Sequence, residues 1–91
     1  MTIPIKKYGT FLISRPAGRE AFLVMRAYAK PSSSSEKILL DFDGVEVMTP
    51  SWLDEVLTGL KNEYGADRVE CLPSTNPTVV ESLKAIALTP I

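Results

Sequence analysis

Histidine is absent from the sequence, and cysteine occurs once, at Cys71. The absence of histidine removes the commonest general base, the commonest metal ligand and every Ser-His or Cys-His nucleophile. A single cysteine excludes an intrachain disulfide, and without histidine it also excludes a structural zinc site. We therefore expect no enzyme activity, no metal and no cofactor. Cys71 itself is most simply a small core residue.

No apolar run approaches the roughly 20 residues that a membrane-spanning helix needs, and the first residues lack the order of a secretory signal. The net charge is −1, so no overall field recruits nucleic acid or an anionic membrane. Together with the absence of disulfides, this predicts a cytoplasmic protein without nucleic-acid or membrane partners.

The charge is unevenly distributed along the chain. Residues 1–35 contain six basic residues and one acidic residue, whereas residues 36–70 contain nine acidic and three basic residues. The two parts should therefore attract each other in the fold, or present different faces to different partners.

The 91 residues, 45% of them hydrophobic, suit a single domain, residues 1–91. Short β-prone segments predict strands at residues 3–5, 10–13, 38–40 and 68–73. Capping residues and a helical apolar period predict three helices, at residues 15–30, at residues 50–64 and after Asn76-Pro77. Alternating elements predict the α/β class, with a mixed sheet of about four strands and three helices. The apolar run at 38–40 predicts a strand covered on both faces, and the apolar segment 85–91 a tail packed on the sheet edge or on a second subunit.

The first predicted helix has an apolar side and a basic side, and Ser14 is its predicted N-cap. The apolar side is formed by Ala17, Ala21, Val24, Met25 and Tyr28. The basic side is formed by Arg15, Arg19, Arg26 and Lys30. Such a stripe is either the solvated side of an amphipathic helix or a surface for an acidic partner or a phosphate backbone, which makes Arg15, Arg19 and Arg26 candidate partner-binding residues.

The segment from residue 37 to residue 55 is a strand, an acidic turn and a hydroxyl-bearing loop that leads into the second helix. Thr49 and Ser51 are either helix-capping hydroxyls or phosphoacceptors, since the start of a helix favours a phosphate. Asp54 and Glu55 in the first turn suit the helix dipole, but they would repel an added phosphate.

Asp41 and Asp43 lie at the end of the predicted strand and share one face at period two. They either cap turns or form a Mg²⁺ or catalytic dyad, for which no further acid or base is evident. Trp52 lies at the edge of the apolar side of its helix. It is either partly buried or an anchor for a partner, so Asp43, Trp52, Asp54 and Glu55 are candidate partner-binding residues.

The segment Ile38-Leu39-Leu40-Asp41-Phe42-Asp43-Gly44-Val45 resembles the strand of STAS domains, the module of bacterial anti-sigma-factor antagonists. The chain resembles still more closely a STAS-like family of unknown function (DUF4325). The features that match this family are Tyr8-Gly9, Ile13-Ser14-Arg15, Leu40-Asp41-Phe42 with Gly44-Val45, Asp54-Glu55 and Asn76-Pro77.

The resemblance implies a STAS-like fold and a regulatory domain that binds a protein partner, such as a histidine-kinase-like ATPase. STAS antagonists are phosphorylated in an Asp-Ser-Ser/Thr-Gly motif. Here Thr49 replaces the Asp, Pro50 the first hydroxyl residue and Trp52 the Gly, while Ser51 keeps the second hydroxyl.

Three functions are therefore open from the sequence. The first is a protein–protein interaction or switch domain. The second is a small nucleotide-binding protein or enzyme that uses the loop at residues 43–52. The third is a structural homodimer.

Overall fold

Five short parallel strands and three helices form the structure, a computed structural model that describes residues 1–87. The strands are β1 (Thr2–Pro4), β2 (Phe11–Leu12), β3 (Ile38–Asp41), β4 (Val47–Met48) and β5 (Val69–Cys71). The helices are α1 (Arg15–Tyr28), α2 (Pro50–Tyr64) and α3 (Pro77–Ala87), and two 3-10 helices lie at Ile5–Tyr8 and Ala66–Arg68. Residues 88–91 of the predicted apolar tail lie outside the described residues.

The strands form two parallel sheets instead of the single mixed sheet of about four strands that the sequence predicted. One sheet has the order β1-β3-β5, and β2 pairs with β4 in the other. Each neighbouring pair is parallel because a helix between the strands returns the chain to the same end. Gly44, at φ +85°, turns the chain after β3, so β4 leaves the first sheet and pairs with β2.

Helices cover only one face of the three-stranded sheet, because two successive right-handed crossovers in the same direction place α1 and α2 together. On the covered face, Ile38 and Leu40 are 1% and 0% exposed. Leu39 points to the other face, where it is half-buried between Thr2 and Glu70 of the neighbouring strands. The prediction of a strand covered on both faces is therefore wrong.

Glycines set the distance between α1 and α2. A Cβ atom on Gly18 would lie 2.6 Å from the carbonyl oxygen of Trp52, and a Cβ on Gly59 would lie 2.6 Å from the ring of Phe22. On these two helices, four apolar side chains of the core have no exposed surface, namely Met25, Leu53, Val56 and Leu60. The helices therefore pack backbone against backbone at one point and glycine against ring at another.

The predicted apolar side of α1 is only partly buried. Ala21 and Met25 are buried as expected, but Val24 is 45% and Tyr28 80% exposed. The buried residues of α1 are Gly18, Ala21 and Met25, because α2 approaches α1 at Gly18. Val24 and Tyr28 therefore lie beside the core instead of inside it.

A polar network holds the loop between α1 and β3. Glu36 accepts hydrogen bonds from the Ser32 backbone N–H at 2.6 Å, the Ser32 hydroxyl at 3.0 Å and the N-terminal ammonium at 3.0 Å. Arg68 donates to the carbonyl oxygens of Ser33, Glu36 and Tyr64. The Ser32 N–H, more than any other group, lowers the pKa of Glu36 from an ordinary 4.5 to about 2. Glu36 and Arg68 thus both hold the loop in place through hydrogen bonds.

None of the helices α1, α2 and α3 combines the length and apolarity needed to pass through a bilayer.

We predict that Gly18→Ala lowers the free energy of unfolding by about 1–3 kcal/mol, the usual cost of overpacking, because the new methyl group meets backbone that cannot turn aside. Elsewhere in a helix, the same change would stabilise the protein by up to about 1 kcal/mol. Gly59→Ala is the control and should cost less, since its neighbour is the half-buried side chain of Phe22, which can move aside by turning about its Cα–Cβ bond, whereas backbone cannot. Urea unfolding measures both, and equal losses would contradict this account.

We predict that the loop contacts of Glu36 stabilise the protein only above acidic pH. Its pKa is lowered in the folded state, so its contribution is complete above about pH 4.5 and disappears as the pH falls towards 2. The melting temperature of Glu36→Gln should therefore lie below that of the wild type at neutral pH and meet it near pH 2. Glu63→Gln, the same change at an exposed position of α2, should show no such convergence.

Candidate functional site

The acidic turn after β3 is shaped by Asp41. Its Oδ1 accepts a hydrogen bond from the Asp43 backbone N–H at 3.0 Å, and the Val45 N–H donates to the Phe42 carbonyl at 3.1 Å. Asp43 is exposed, whereas Phe42 is 2% exposed and packs in the core. Among residues 1–87 there is no group of carboxylates or thiols that could hold a metal ion, and the local role of Asp41 is to cap a turn.

Thr49 precedes α2 at the N-cap position, but its hydroxyl makes no hydrogen bond that caps the helix. The backbone N–H of Thr49 donates to the carbonyl oxygen of Leu12 at 2.9 Å, and its Oγ1 donates to the same oxygen at 3.2 Å. Thr49 therefore connects the start of α2 to β2. Its hydroxyl is partly buried and already engaged.

Ser51 differs from Thr49 in that its hydroxyl has no hydrogen-bond partner within residues 1–87. It is half-exposed in the first turn of α2, before the first helical hydrogen bond, which runs from Leu53 N to the Thr49 carbonyl at 3.2 Å. A hollow of about 160 Å³ opens beside it, where α1, α2 and α3 meet. Its lining consists of Arg15, Pro50, Ser51, Asp54, Ala85 and Ile86.

The charged side chains at the hollow pair with one another, and one guanidinium against two carboxylates leaves a net charge of −1. Arg15 donates to Asp54 at 2.7 Å and to Glu55 at 3.4 Å, and these hydrogen bonds, that to Asp54 foremost, raise the pKa of the guanidinium. The Arg15 and Asp54 side chains are 52% and 46% exposed, so water screens the pair and it stabilises the fold only weakly. The cluster is weak as a structural element, and another anion could displace its carboxylates.

Trp52 does not face this hollow, and this corrects the prediction that it anchors a partner. Its side chain is 1% exposed and belongs to the core. The close approach of Gly18 to the Trp52 backbone draws the first turn of α2 against α1, which leaves the indole inside. The sequence predicted either partial burial of Trp52 or a contact with a partner, and in the structure its side chain is completely buried.

The other predicted partner-binding residues lie outside the hollow. Arg19 forms no ion pair within residues 1–87, and Arg26 lies over the ring of Phe22 at 5.6 Å from its centre. Asp43 belongs to the turn after β3. Of the predicted set, the structure thus brings together Arg15, Ser51, Asp54 and Glu55.

The sequence did not predict how α3 holds β4 beside the site. Asn76 caps α3, because its Oδ1 accepts a hydrogen bond from the Thr78 N–H at 2.8 Å. Its Nδ2 donates to the carbonyl oxygens of Val45 and Glu46. The Met48 backbone N–H donates to Thr78 Oγ1, and a second hollow, of about 310 Å³, opens between α2 and α3. The Asn76-Pro77 pair signalled the cap, but not the contacts to β4.

Cys71 ends β5 and is partly buried. Burial raises the pKa of its thiol to about 11, so the sulfur stays protonated and poorly nucleophilic at neutral pH. This agrees with the interpretation of Cys71 as a packing residue.

Parallel strands, helices packed on one face and a strand-turn-helix site define a small α/β domain of the STAS-like class. The model of the STAS-like domain of unknown function (DUF4325) matches residues 23–73, more than half of the chain, and the protein belongs to this family. No curated protein and no solved structure matches the sequence. The match includes the turn after β3 and all of α2, but neither Arg15 nor α3.

We predict that Asn76→Ala lowers the free energy of unfolding by about 1–3 kcal/mol, because it removes a helix cap and leaves two carbonyls unpaired. Asn62→Ala, at an exposed position of α2, is the matched control and should change stability by less than about 0.5 kcal/mol. Chemical unfolding of the two variants tests the assignment, which fails if their losses are equal.

Proposed function

We propose that the protein is a non-enzymatic protein–protein interaction domain that acts as a regulatory switch in the cytoplasm. Its recognition surface would be the hollow where α1, α2 and α3 meet. One observation carries this proposal. Ser51, which is partly exposed and whose hydroxyl has no hydrogen-bond partner among residues 1–87, lines the same hollow as Arg15 and Asp54.

Ser51 is the phosphoacceptor in this proposal. A phosphoryl group there would lie in the first turn of α2, where the helix dipole favours negative charge. It would also compete for Arg15, whose guanidinium binds phosphate through two parallel hydrogen bonds. Transfer of Arg15 from Asp54 and Glu55 to the phosphate would leave both carboxylates free. The phosphate would also add a charge of about −1.5 to −2, so the surface would change from weakly to strongly negative.

Thr49 is the second candidate and would act differently. Its hydroxyl donates to the Leu12 carbonyl, so a phosphoryl group on Thr49 would break the connection between α2 and β2. We rank it below Ser51 because that hydroxyl must first be released.

The partner that fits this role is a protein kinase, by family likeness a histidine-kinase-like ATPase. Arg19, Arg26 and Asp43 would extend the contact surface beyond the hollow. Trp52 has no part in it, because its side chain is buried.

The first experiment is the intact mass of the protein from its native cells, with and without phosphatase, followed by site mapping. We expect a phosphatase-sensitive addition of one phosphoryl group on Ser51, and its loss in Ser51→Ala. An unmodified mass under every growth condition would make Ser51 a helix-start residue only and would end the switch proposal.

We also predict that phosphoserine at position 51, introduced by semisynthesis, shifts the NMR signal of the Arg15 side-chain N–H. We expect this shift because the Arg15 N–H would donate its hydrogen bond to the phosphate instead of to the Asp54 carboxylate. Phosphoserine at position 35, in the exposed loop before β3, adds the same charge as a control and should leave that signal in place. An Arg15 signal unchanged by phosphoserine at position 51 would rule out the proposed exchange.

A further inference from the structure

Within residues 1–87, the outer edge of β2 has backbone groups without a hydrogen-bond partner. Towards β4, the Thr10 carbonyl accepts from the Val47 N–H at 3.0 Å, and the Leu12 carbonyl accepts from the Thr49 N–H at 2.9 Å. Successive residues of a strand direct their N–H and C=O groups to opposite edges. Those of Phe11 and Ile13 therefore point away from β4, where no group of residues 1–87 bonds them.

The side chains of this edge are apolar and exposed. Phe11 is 62% and Ile13 61% exposed, while Leu12 between them is 1% exposed and packs in the core. Phe11 and Ile13 thus share the outer face of the two-stranded sheet at period two. The six residues 9–14 carry no charge, so nothing in this segment opposes the approach of another apolar strand.

The other outer edge of the same sheet is closed. In β4 the Met48 N–H donates to Thr78 Oγ1 at 3.1 Å, and the Met48 carbonyl accepts from Ser82 Oγ at 3.1 Å. In β1, Pro4 lacks an N–H group, a common protection of edge strands. Within residues 1–87, β2 has neither protection. Proteins usually protect an unpaired, apolar edge strand of this kind against pairing with another chain.

We propose that β2 pairs with β2 of a second copy of this chain, antiparallel about a twofold axis at Leu12. This arrangement places Phe11 of one copy opposite Ile13 of the other. Each such pair can exchange two backbone hydrogen bonds. The proposal does not depend on Ser51.

A second copy fits this edge because the edge is complementary to itself. The two residues with free backbone groups are symmetric about Leu12, and a twofold interface requires that each contact be repeated with the roles exchanged. Both side chains are apolar, so no oppositely charged partner is called for. Joining the copies makes a four-stranded sheet in the order β4-β2-β2-β4, with both ends closed by α3.

The interface is small, far below the roughly 1,200 Å² of stable complexes, so the dimer is weak. We expect sedimentation equilibrium to show a monomer at low concentration and a dimer at high concentration, with a dissociation constant between about 10 µM and about 1 mM, that is, about 4–7 kcal/mol. A single monomeric species at every concentration up to about 1 mM would overturn the proposal.

Amide exchange of the same samples identifies the edge. We expect the N–H groups of Phe11 and Ile13 to exchange at least about tenfold more slowly in the dimer, and that of Leu12, which faces β4, to be protected at every concentration. Concentration-dependent protection that appears elsewhere but not at Phe11 and Ile13 would overturn the proposed strand pairing.

Two variants test the pairing chemistry. Phe11→Glu places a charge at an apolar contact, and Ile13→Pro removes an outward-facing N–H while leaving the bonds to β4 in place. Each should weaken dimerisation at least about tenfold with the melting temperature nearly unchanged. Tyr28→Glu is the matched control, because it adds the same charge at an apolar residue that is 80% exposed on α1, and it should dimerise like the wild type. An equal loss in Phe11→Glu and Tyr28→Glu would show nonspecific apolar association and refute the β2 interface.

Discussion

The contact between the backbones of α1 and α2 at Gly18 and Trp52 determines much of the remaining structure. Only glycine allows this approach, because any side chain at position 18 would meet the carbonyl oxygen of Trp52. The approach sets α1 and α2 side by side on one face of the sheet and encloses the indole of Trp52. It also brings the beginnings of the two helices together, so that Arg15 meets Asp54 and Glu55. The candidate site is thus a product of helix packing.

The carbonyl of Leu12 connects the two proposals. It accepts both the N–H and the hydroxyl of Thr49, which places the inner edge of β2 against the beginning of α2. The outer edge of the same strand is the proposed dimer contact, and Ser51 lies two residues after Thr49. A phosphoryl group on Thr49 would remove the hydrogen bond from its hydroxyl to this carbonyl, so it would affect both the beginning of α2 and β2.

Family membership and local structure contribute different parts of this account. The family match covers residues 23–73 and thus the turn after β3, which Asp41 and Gly44 shape in the way that the strand pattern predicted. It leaves out Arg15, β2 and α3, which supply the cation of the hollow, the free strand edge and the clamp on β4. The proposed phosphoacceptor Ser51 and its neighbour Asp54 therefore lie inside the segment that the family model covers, whereas Arg15 and the proposed dimer edge lie outside it.

The sequence by itself determined the features that depend on near neighbours. Ser14 caps α1 through the Ala17 N–H, and Gly65 ends α2. The apolar period of α2 correctly identified four of its buried residues, namely Leu53, Val56, Leu57 and Leu60. The number of helices and the α/β class followed from the same signals. Tertiary structure alone decided which strands pair, which face of the sheet is covered, how deeply Trp52 is buried and which carboxylates hold Arg15. The reason is physical: each of these outcomes joins residues far apart in the chain, such as Arg15 and Asp54, which are 39 positions apart, and no local pattern encodes such a distance.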